Sequence, residues 1–269
     1  MAEPILRWAG SKKKLLPVLS SAAPSTFKRY VEPFVGSAVL FLKLDPSKAV
    51  LSDINADLIE TYENIRAHPR AVWNRVSNMP LEESFYYDLR SQDAGSLKPL
   101  DRAARFVYLN RFCFNGVYRT NRQGRFNVSR GYGHLYVPSW EVFRDFSKRL
   151  KAATLMNDDF EKVVAKTNSG DFLYLDPPYA LQGQRDRGEY GVGAFRENDE
   201  DRLAEALLDA SARDVQILLS YSPSPGLLQR LQGWHVKHLK VARNVAGFAQ
   251  DRRTADEILV SNYDWRLDK

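Results

Sequence analysis

Asp176-Pro177-Pro178-Tyr179 is the stretch of this chain best equipped for chemistry. It follows an apolar run, Phe172 to Leu175, that reads as a strand. Prolines lack the N–H and fix φ, so they cannot extend a β-ladder. The chain therefore stops at the carboxyl end of a strand, where open α/β sheets bind ligands. There the tetrapeptide offers a carboxylate, the Pro177 carbonyl and the Tyr179 ring. Two acceptors beside a flat face suit an exocyclic amino group on a planar base. Such an amine is a poor nucleophile because its lone pair is delocalised into the ring. Accepting its two hydrogens localises that pair toward an incoming electrophile. No covalent intermediate is needed, so the single cysteine, Cys113, is read as a buried structural thiol.

Two further groupings look fit to hold a nucleoside. Pro33-Phe34-Val35-Gly36-Ser37-Ala38 reads as a strand-to-helix turn, with Gly36 letting the backbone approach a ligand. Asp53 closes the next strand, where a carboxylate accepts hydrogen bonds from ribose hydroxyls. The G-x-G-x-x-G fingerprint of a dinucleotide site is absent, which argues for a nucleoside without phosphates. Near the start, Arg7-Trp8-Ala9-Gly10-Ser11-Lys12 has two readings. It wraps a carboxylate and an adenine ring, or it anchors Trp8 in the core and leaves Lys12 to Lys14 in solvent.

Net charge is +6, and the basic residues are unevenly placed. Between Arg102 and Trp140 there is no acid, but there are seven arginines and nine aromatics, including Phe112, Phe114, Tyr118, Phe126 and Tyr132. Arginine among aromatics suits a surface that tracks phosphates and stacks bases. The competing reading is a solvated basic face over packed rings. The four histidines, His68, His134, His235 and His238, lack metal-ligand spacing, and no metal is expected.

The elements that must position these residues are those of an α/β protein. Lys28 to Val31 and Ala49 to Ser52 read as strands, Ala38 to Leu44 and Asn55 to Ala67 as helices. From about Pro69 to Ala153 helical patterns dominate, without a convincing buried strand, and lead into a glycine-containing basic loop or hairpin. Strands return at Phe172 to Leu175, Val215 to Ser220, His235 to Val241 and Glu257 to Tyr263, with a helix at Asp199 to Arg213. The polar stretch Ala180 to Gly193 is read as mobile, a lid or a plain loop. The expected division is a catalytic domain of residues 1–68 and 154–269, with residues 69–153 as an insertion. No run reaches the roughly 18–20 apolar residues that span a bilayer, and Met1 to Lys14 has no signal core, so a cytoplasmic protein is expected.

Taken in order, these blocks resemble the DNA adenine methyltransferase (Dam) family. The likeness covers nearly the whole chain. It runs through Arg7 to Lys12, Val31 to Gly36, Leu51 to Asn55, Tyr108 to Arg111, Asn115-Gly116, Arg119, Asn121, Gly124, Phe126 to Val128, and Asp176 to Tyr179. The resemblance implies a Rossmann-like S-adenosylmethionine-dependent methyltransferase fold with a helical and hairpin target-recognition insertion. It implies transfer of a methyl group from S-adenosylmethionine to N6 of an adenine flipped out of duplex DNA, with GATC as the familiar target. Cofactor contacts would be Trp8, Lys12, Phe34, Gly36, Asp53 and Asp176. Catalysis would fall to Asp176, Pro177, Pro178 and Tyr179. DNA contacts would be Arg7, Phe114, Asn115, Val117, Arg119, Arg122, Arg125 and Ser129, with Arg119 reading a guanine. The chain departs from the pattern in four places. Arg7 stands for a lysine, Ala38 for a second glycine, Phe114 for a tyrosine and Ser129 for a proline. Other amino-group acceptors (RNA adenine, cytosine N4, a protein glutamine) and a DNA-binding homologue without activity are the alternatives.

Overall fold

The computed structural model describes residues 3–121, 123–133, 135–178, 195, 197–242 and 254–265. Strands β1 (Arg29–Glu32), β2 (Ala49–Ser52), β3 (Ala153–Met156), β4 (Asp171–Leu175), β5 (Gln216–Tyr221), β6 (His235–Ala242) and β7 (Thr254–Ser261) form one sheet. Their order is β3-β2-β1-β4-β5-β7-β6. The first five in that order are parallel, and β7 enters antiparallel between β5 and β6. This is the expected α/β fold, with its switch point between β1 and β4.

Alternation along the strands divides the core in two. Tyr30, Phe172 and Tyr174 belong to one apolar cluster, while Val31, Leu173 and Leu175 belong to another. Period-two side chains point to opposite faces, so a parallel sheet with both faces apolar must be covered on both. On one side lie α1 (Leu16–Ala22), α2 (Val39–Leu44), α3 (Ala56–Ala67), α4 (Pro69–Ser77), α5 (Glu83–Ser91), α6 (Pro99–Phe112) and α7 (Trp140–Leu150). On the other lie α8 (Phe160–Val164), α9 (Glu197–Ala212) and α10 (Pro225–Arg230). Helix α6 packs on α3 and α4, and α7 on α3, α4 and β3. One core therefore runs from the sheet through the helical segment that follows α3.

Strand β3 and helix α8 were not anticipated from the sequence. Strand β3 is a four-residue edge strand with one buried position, so it lacks the apolar run that marks the central strands. After α6 the chain forms the expected hairpin. Cys113 pairs with Arg130 and Thr120 with Phe126 in antiparallel bridges. At its tip the Asn121 Oδ1 accepts the N–H groups of Gln123 and Arg125, at 2.9 and 3.0 Å. Such a side-chain turn is what asparagine provides at a hairpin end.

The acid-free arginine run is less of a surface than its composition suggested. Arg105 and Arg111 are buried. Arg105 donates to the carbonyls of Leu89 and Arg90, and Arg111 to that of Tyr136, whose ring it also covers. Arg102 forms a forked pair with Glu60. Helix α6 is enclosed along most of its length, so these guanidinium groups satisfy backbone carbonyls and one acid, not phosphates. No helix among the described residues is long and apolar enough to cross a membrane.

Candidate active site

The carboxyl ends of β1, β2 and β4 each finish on or beside an acid: Glu32, Asp53 and Asp176. All three line one open cleft at the switch point, with about 1290 Å³ of free space including its mouth. Trp8, Lys12, Phe34, Gly36, Pro177 and Pro178 line it as well. Three motifs far apart in sequence thus meet in one place. Tyr179, Arg122 and the stretch Ala180 to Gly193 lie outside the described residues.

The β1–α2 turn is built around its backbone. Gly36 has φ +43°, and a Cβ there would stand 2.7 Å from Cδ1 of Trp8. The Gly36 N–H donates to Asp53 Oδ2 at 3.1 Å, and its carbonyl accepts from the Tyr62 hydroxyl at 2.6 Å. Asp53 Oδ1 accepts from the Asn55 N–H at 3.0 Å. Ser37 donates to Ser11 at 3.1 Å, tying the turn to the N-terminal segment. Burial raises the Asp53 carboxyl to about 6, against the pull of the Asn55 and Gly36 N–H groups. Ala38, where the resemblance expects glycine, adopts left-handed φ/ψ of 57° and 31°.

Trp8 is half-buried. Its ring stacks on Tyr118 at 5.8 Å and 18°, and on Phe106 at 6.5 Å and 25°. Trp8 is both packed and on the cleft wall, and the reading that leaves Lys12 in solvent does not hold. Lys12 is buried, while Lys13 and Lys14 are exposed. The Lys12 ammonium sits 2.6 Å from Asp176 Oδ1 and 3.1 Å from Glu257 Oε1. Burial raises the Asp176 carboxyl to about 6, although Lys12 pulls it down, and Glu257 pushes it further up.

Glu32 and Glu257 escaped the sequence reading as site residues. Burial holds the Glu32 carboxyl well above its usual range, with Tyr30 opposing and Asp176 and Asp53 adding to the rise. Its Oε2 meets no hydrogen-bond donor among the described residues. The signal was present: Glu32 precedes a proline at a strand end, as Asp176 does. Phe160, Phe195 and Arg202, which the sequence reading also missed, line the cleft beside the expected Phe34. Phe34 stacks on Phe160 at 5.5 Å, Phe195 closes the cluster, and Arg202 lies over Phe160 while paired to Asp159, Glu161 and Asp199.

The expected DNA contacts gather around the hairpin. Phe114, Asn115, Arg125 and Ser129 are exposed, Val117 and Arg119 half-buried. Asn115 and Gly116 both have positive φ, at 53° and 66°. Arg119 Nε donates to Asn127 Oδ1 at 2.9 Å. Arg7 comes from the N-terminus and is held by Asn110, which accepts its N–H at 2.8 Å and donates to its carbonyl at 2.6 Å. Tyr118 joins the two regions: its ring is against Trp8, and its hydroxyl donates to Asp57 at 2.9 Å.

Among known proteins, the family model of D12 class N6 adenine-specific DNA methyltransferases matches residues 8–246. The type II methyltransferase M1.LlaDCHI of Lactococcus lactis subsp. cremoris is 32% identical, covering 97% of this chain and 95% of its own. The type II methyltransferase M.MjaIII of Methanocaldococcus jannaschii is 30% identical over 97% of this chain and 99% of its own. The DNA adenine methylase of Escherichia coli K12 is 30% identical, over 94% and 93% respectively.

Proposed function

Since the chain belongs to the D12 class of N6 adenine-specific DNA methyltransferases, we propose that it moves a methyl group from S-adenosylmethionine to N6 of an adenine extruded from duplex DNA. The observation that carries this reading is the meeting of Asp53, Glu32 and Asp176 with Trp8 and Gly36 in one cleft. S-adenosylmethionine presents a ribose diol, a flat base and an ammonium group. The cleft answers with a carboxylate at Asp53, apolar faces at Trp8 and Phe34, and the buried Glu32 oxygen that meets no donor among the described residues. The residues present fit the group. When bound, it supplies a methyl carbon on a sulfonium, already strongly electrophilic.

The chain's own part is positioning and exclusion of water. Asp176 and the Pro177 carbonyl accept the two hydrogens of the adenine amine and aim its lone pair at the incoming carbon. Lys12 fixes the Asp176 carboxylate by the 2.6 Å contact. Tyr179 is assigned to stack on the base. Holding reacting atoms about 3 Å apart is worth a large part of such a barrier. Extrusion costs a few kcal/mol, since enzymes that act on a base within a duplex must unstack it. Phe114, 40% exposed beside the hairpin, is the residue to fill the gap.

Residues 69–153 serve as the target-recognition insertion in this reading. Arg122, Arg125, Asn115, Val117 and Ser129 contact the duplex, and the target carried over from the resemblance is GATC. Arg7 and Arg119 are assigned to guanine, because an arginine fork on O6 and N7 is the commonest specific contact.

The test is methyl transfer from S-adenosylmethionine to unmethylated duplex DNA, matched RNA and protein, with modified bases mapped by sequencing. N6-methyladenine at one short DNA sequence is expected. Methyl groups on RNA alone, or on cytosine N4, overturn the reading. Asp176→Ala is expected to lose more than nine-tenths of the rate, by the transition-state relation. Most DNA affinity should survive, since phosphate contacts dominate it.

A further inference from the structure

We propose that Glu257, on β7 and outside every motif of the sequence, is a positioning residue for the reaction: it shares the Lys12 ammonium with Asp176 and so leaves an Asp176 oxygen to the substrate amine. The inference rests on the reading of Asp176 as the amine's acceptor.

The geometry is a short chain of polar groups across the sheet. Ser220 on β5 donates to Glu257 Oε1 at 2.7 Å. The same oxygen lies 3.1 Å from Lys12 Nζ, and Lys12 Nζ lies 2.6 Å from Asp176 Oδ1. Lys12 also donates to the Gly10 carbonyl at 3.4 Å. Glu257 is 3% exposed and pairs with Leu239 across the β6–β7 ladder, so its carboxylate cannot swing into water.

A buried carboxylate in mid-sheet is costly unless it is paired. Lys12 and Asp176 alone would already balance in charge. A second carboxylate on the same ammonium leaves the group net negative. That is costly for folding alone, but it has a use in the cleft. Without Glu257, Lys12 has one carboxylate fewer to share its donors with, and they compete more strongly with the adenine amine for the Asp176 oxygens. With Glu257, the ammonium is drawn back toward the sheet and Asp176 remains a stronger acceptor. The groups that face Asp176 are Lys12 from the N-terminal segment, Glu32 and Tyr30 from β1, Tyr174 from β4 and Glu257 from β7. Of these, Glu257 is the acid that touches Lys12. Its negative charge pushes the Asp176 carboxyl up, so its removal must lower it.

The experiment compares Glu257→Gln, Asp176→Asn and the unaltered chain. It measures single-turnover methylation against pH, DNA affinity by anisotropy, cofactor affinity by calorimetry and melting temperature. Glu257→Gln is expected to lower the plateau rate roughly tenfold, the size of one charge-assisted hydrogen bond. DNA affinity should be unchanged, and the acid limb of the rate profile should move to lower pH. A merely structural role would lower melting temperature and leave the acid limb in place. A Glu257→Gln protein with the unaltered plateau and acid limb overturns the proposal. If that variant does not fold, Glu257→Asp replaces it: it keeps the charge but draws it away from Lys12, so a lowered plateau rate is required and an unaltered plateau overturns the proposal. Asp176→Asn separates the two levels. Full activity there refutes the acceptor reading itself, whereas an inert Asp176→Asn beside an unaffected Glu257→Gln refutes only the role of Glu257.

Discussion

Gly36 and Trp8 are packed so closely that a single methyl group on Gly36 would come within 2.7 Å of the indole Cδ1. The glycine also stands at φ +43°, where a side chain is strained. Gly36→Ala must therefore push the indole off the cleft wall or distort the turn that offers its N–H to Asp53. Cofactor affinity is expected to fall at least about tenfold, the equivalent of one lost polar contact. Calorimetric titration with S-adenosylmethionine checks it, and undiminished affinity would separate Trp8 from the cofactor.

Two residues further on, Ala38 has φ 57° without the freedom of glycine. A left-handed alanine costs about 1–2 kcal/mol, partly offset because glycine loses more chain entropy on folding. Ala38→Gly is thus expected to stabilise the protein by up to about 1 kcal/mol, read from urea unfolding midpoints at constant slope. A lower midpoint would mean that the Ala38 methyl, buried against the core, contributes more than its backbone costs.

The pH dependence follows from Asp176, whose carboxyl is raised to about 6 by burial against the opposing pull of Lys12. The amine needs an ionised acceptor. As pH falls through about 6, Asp176 takes a proton and kcat/KM should drop, reporting the free enzyme. Asp53, also raised to about 6, ionises over the same range and should add to the fall if it holds the proposed cofactor. For stability the sign is reversed. Acids that hold protons more tightly when folded contribute stability below the ordinary carboxylate range and lose it as pH rises through about 6. Initial rates between pH 5 and 8.5, beside melting curves in the same buffers, test both signs.

Arg119 is fixed at its Nε by Asn127, which leaves the outer edge of the guanidinium for a ligand. Arg119→Ala should erase about 1–3 kcal/mol of discrimination at one base pair. Competition binding with singly substituted duplexes measures it. An equal loss on every sequence would make Arg119 a phosphate contact instead.

What the sequence made legible were the features with local causes. A proline pair after an apolar run marks a strand end, so its neighbours alone place Asp176 at the ligand-binding edge of the sheet. The Gly36 turn and Asp53 were readable for the same reason. Contacts that depend on register across the sheet were not. Nothing near Glu257 in the chain announces that β7 runs antiparallel beside β5 and delivers a carboxylate to Lys12. Composition misled at Arg105 and Arg111, because a count of charges does not tell a surface arginine from one that caps buried carbonyls. Asn110 sat inside a matched block, but its grip on the Arg7 backbone is visible only in three dimensions.

The contact between Lys12 and Glu257 has a consequence for synthesis. The lysine leaves the ribosome long before its carboxylate partner, which lies on the seventh strand of the sheet. Until β7 has been made and inserted between β5 and β6, the ammonium has Asp176 as its carboxylate partner and the cleft is incomplete. The residues of the hairpin are thus present in a nascent chain well before the contact between Lys12 and Glu257 can close. Premature termination ahead of β7 would yield a product that keeps the hairpin's residues and lacks the carboxylate that shares Lys12 with Asp176.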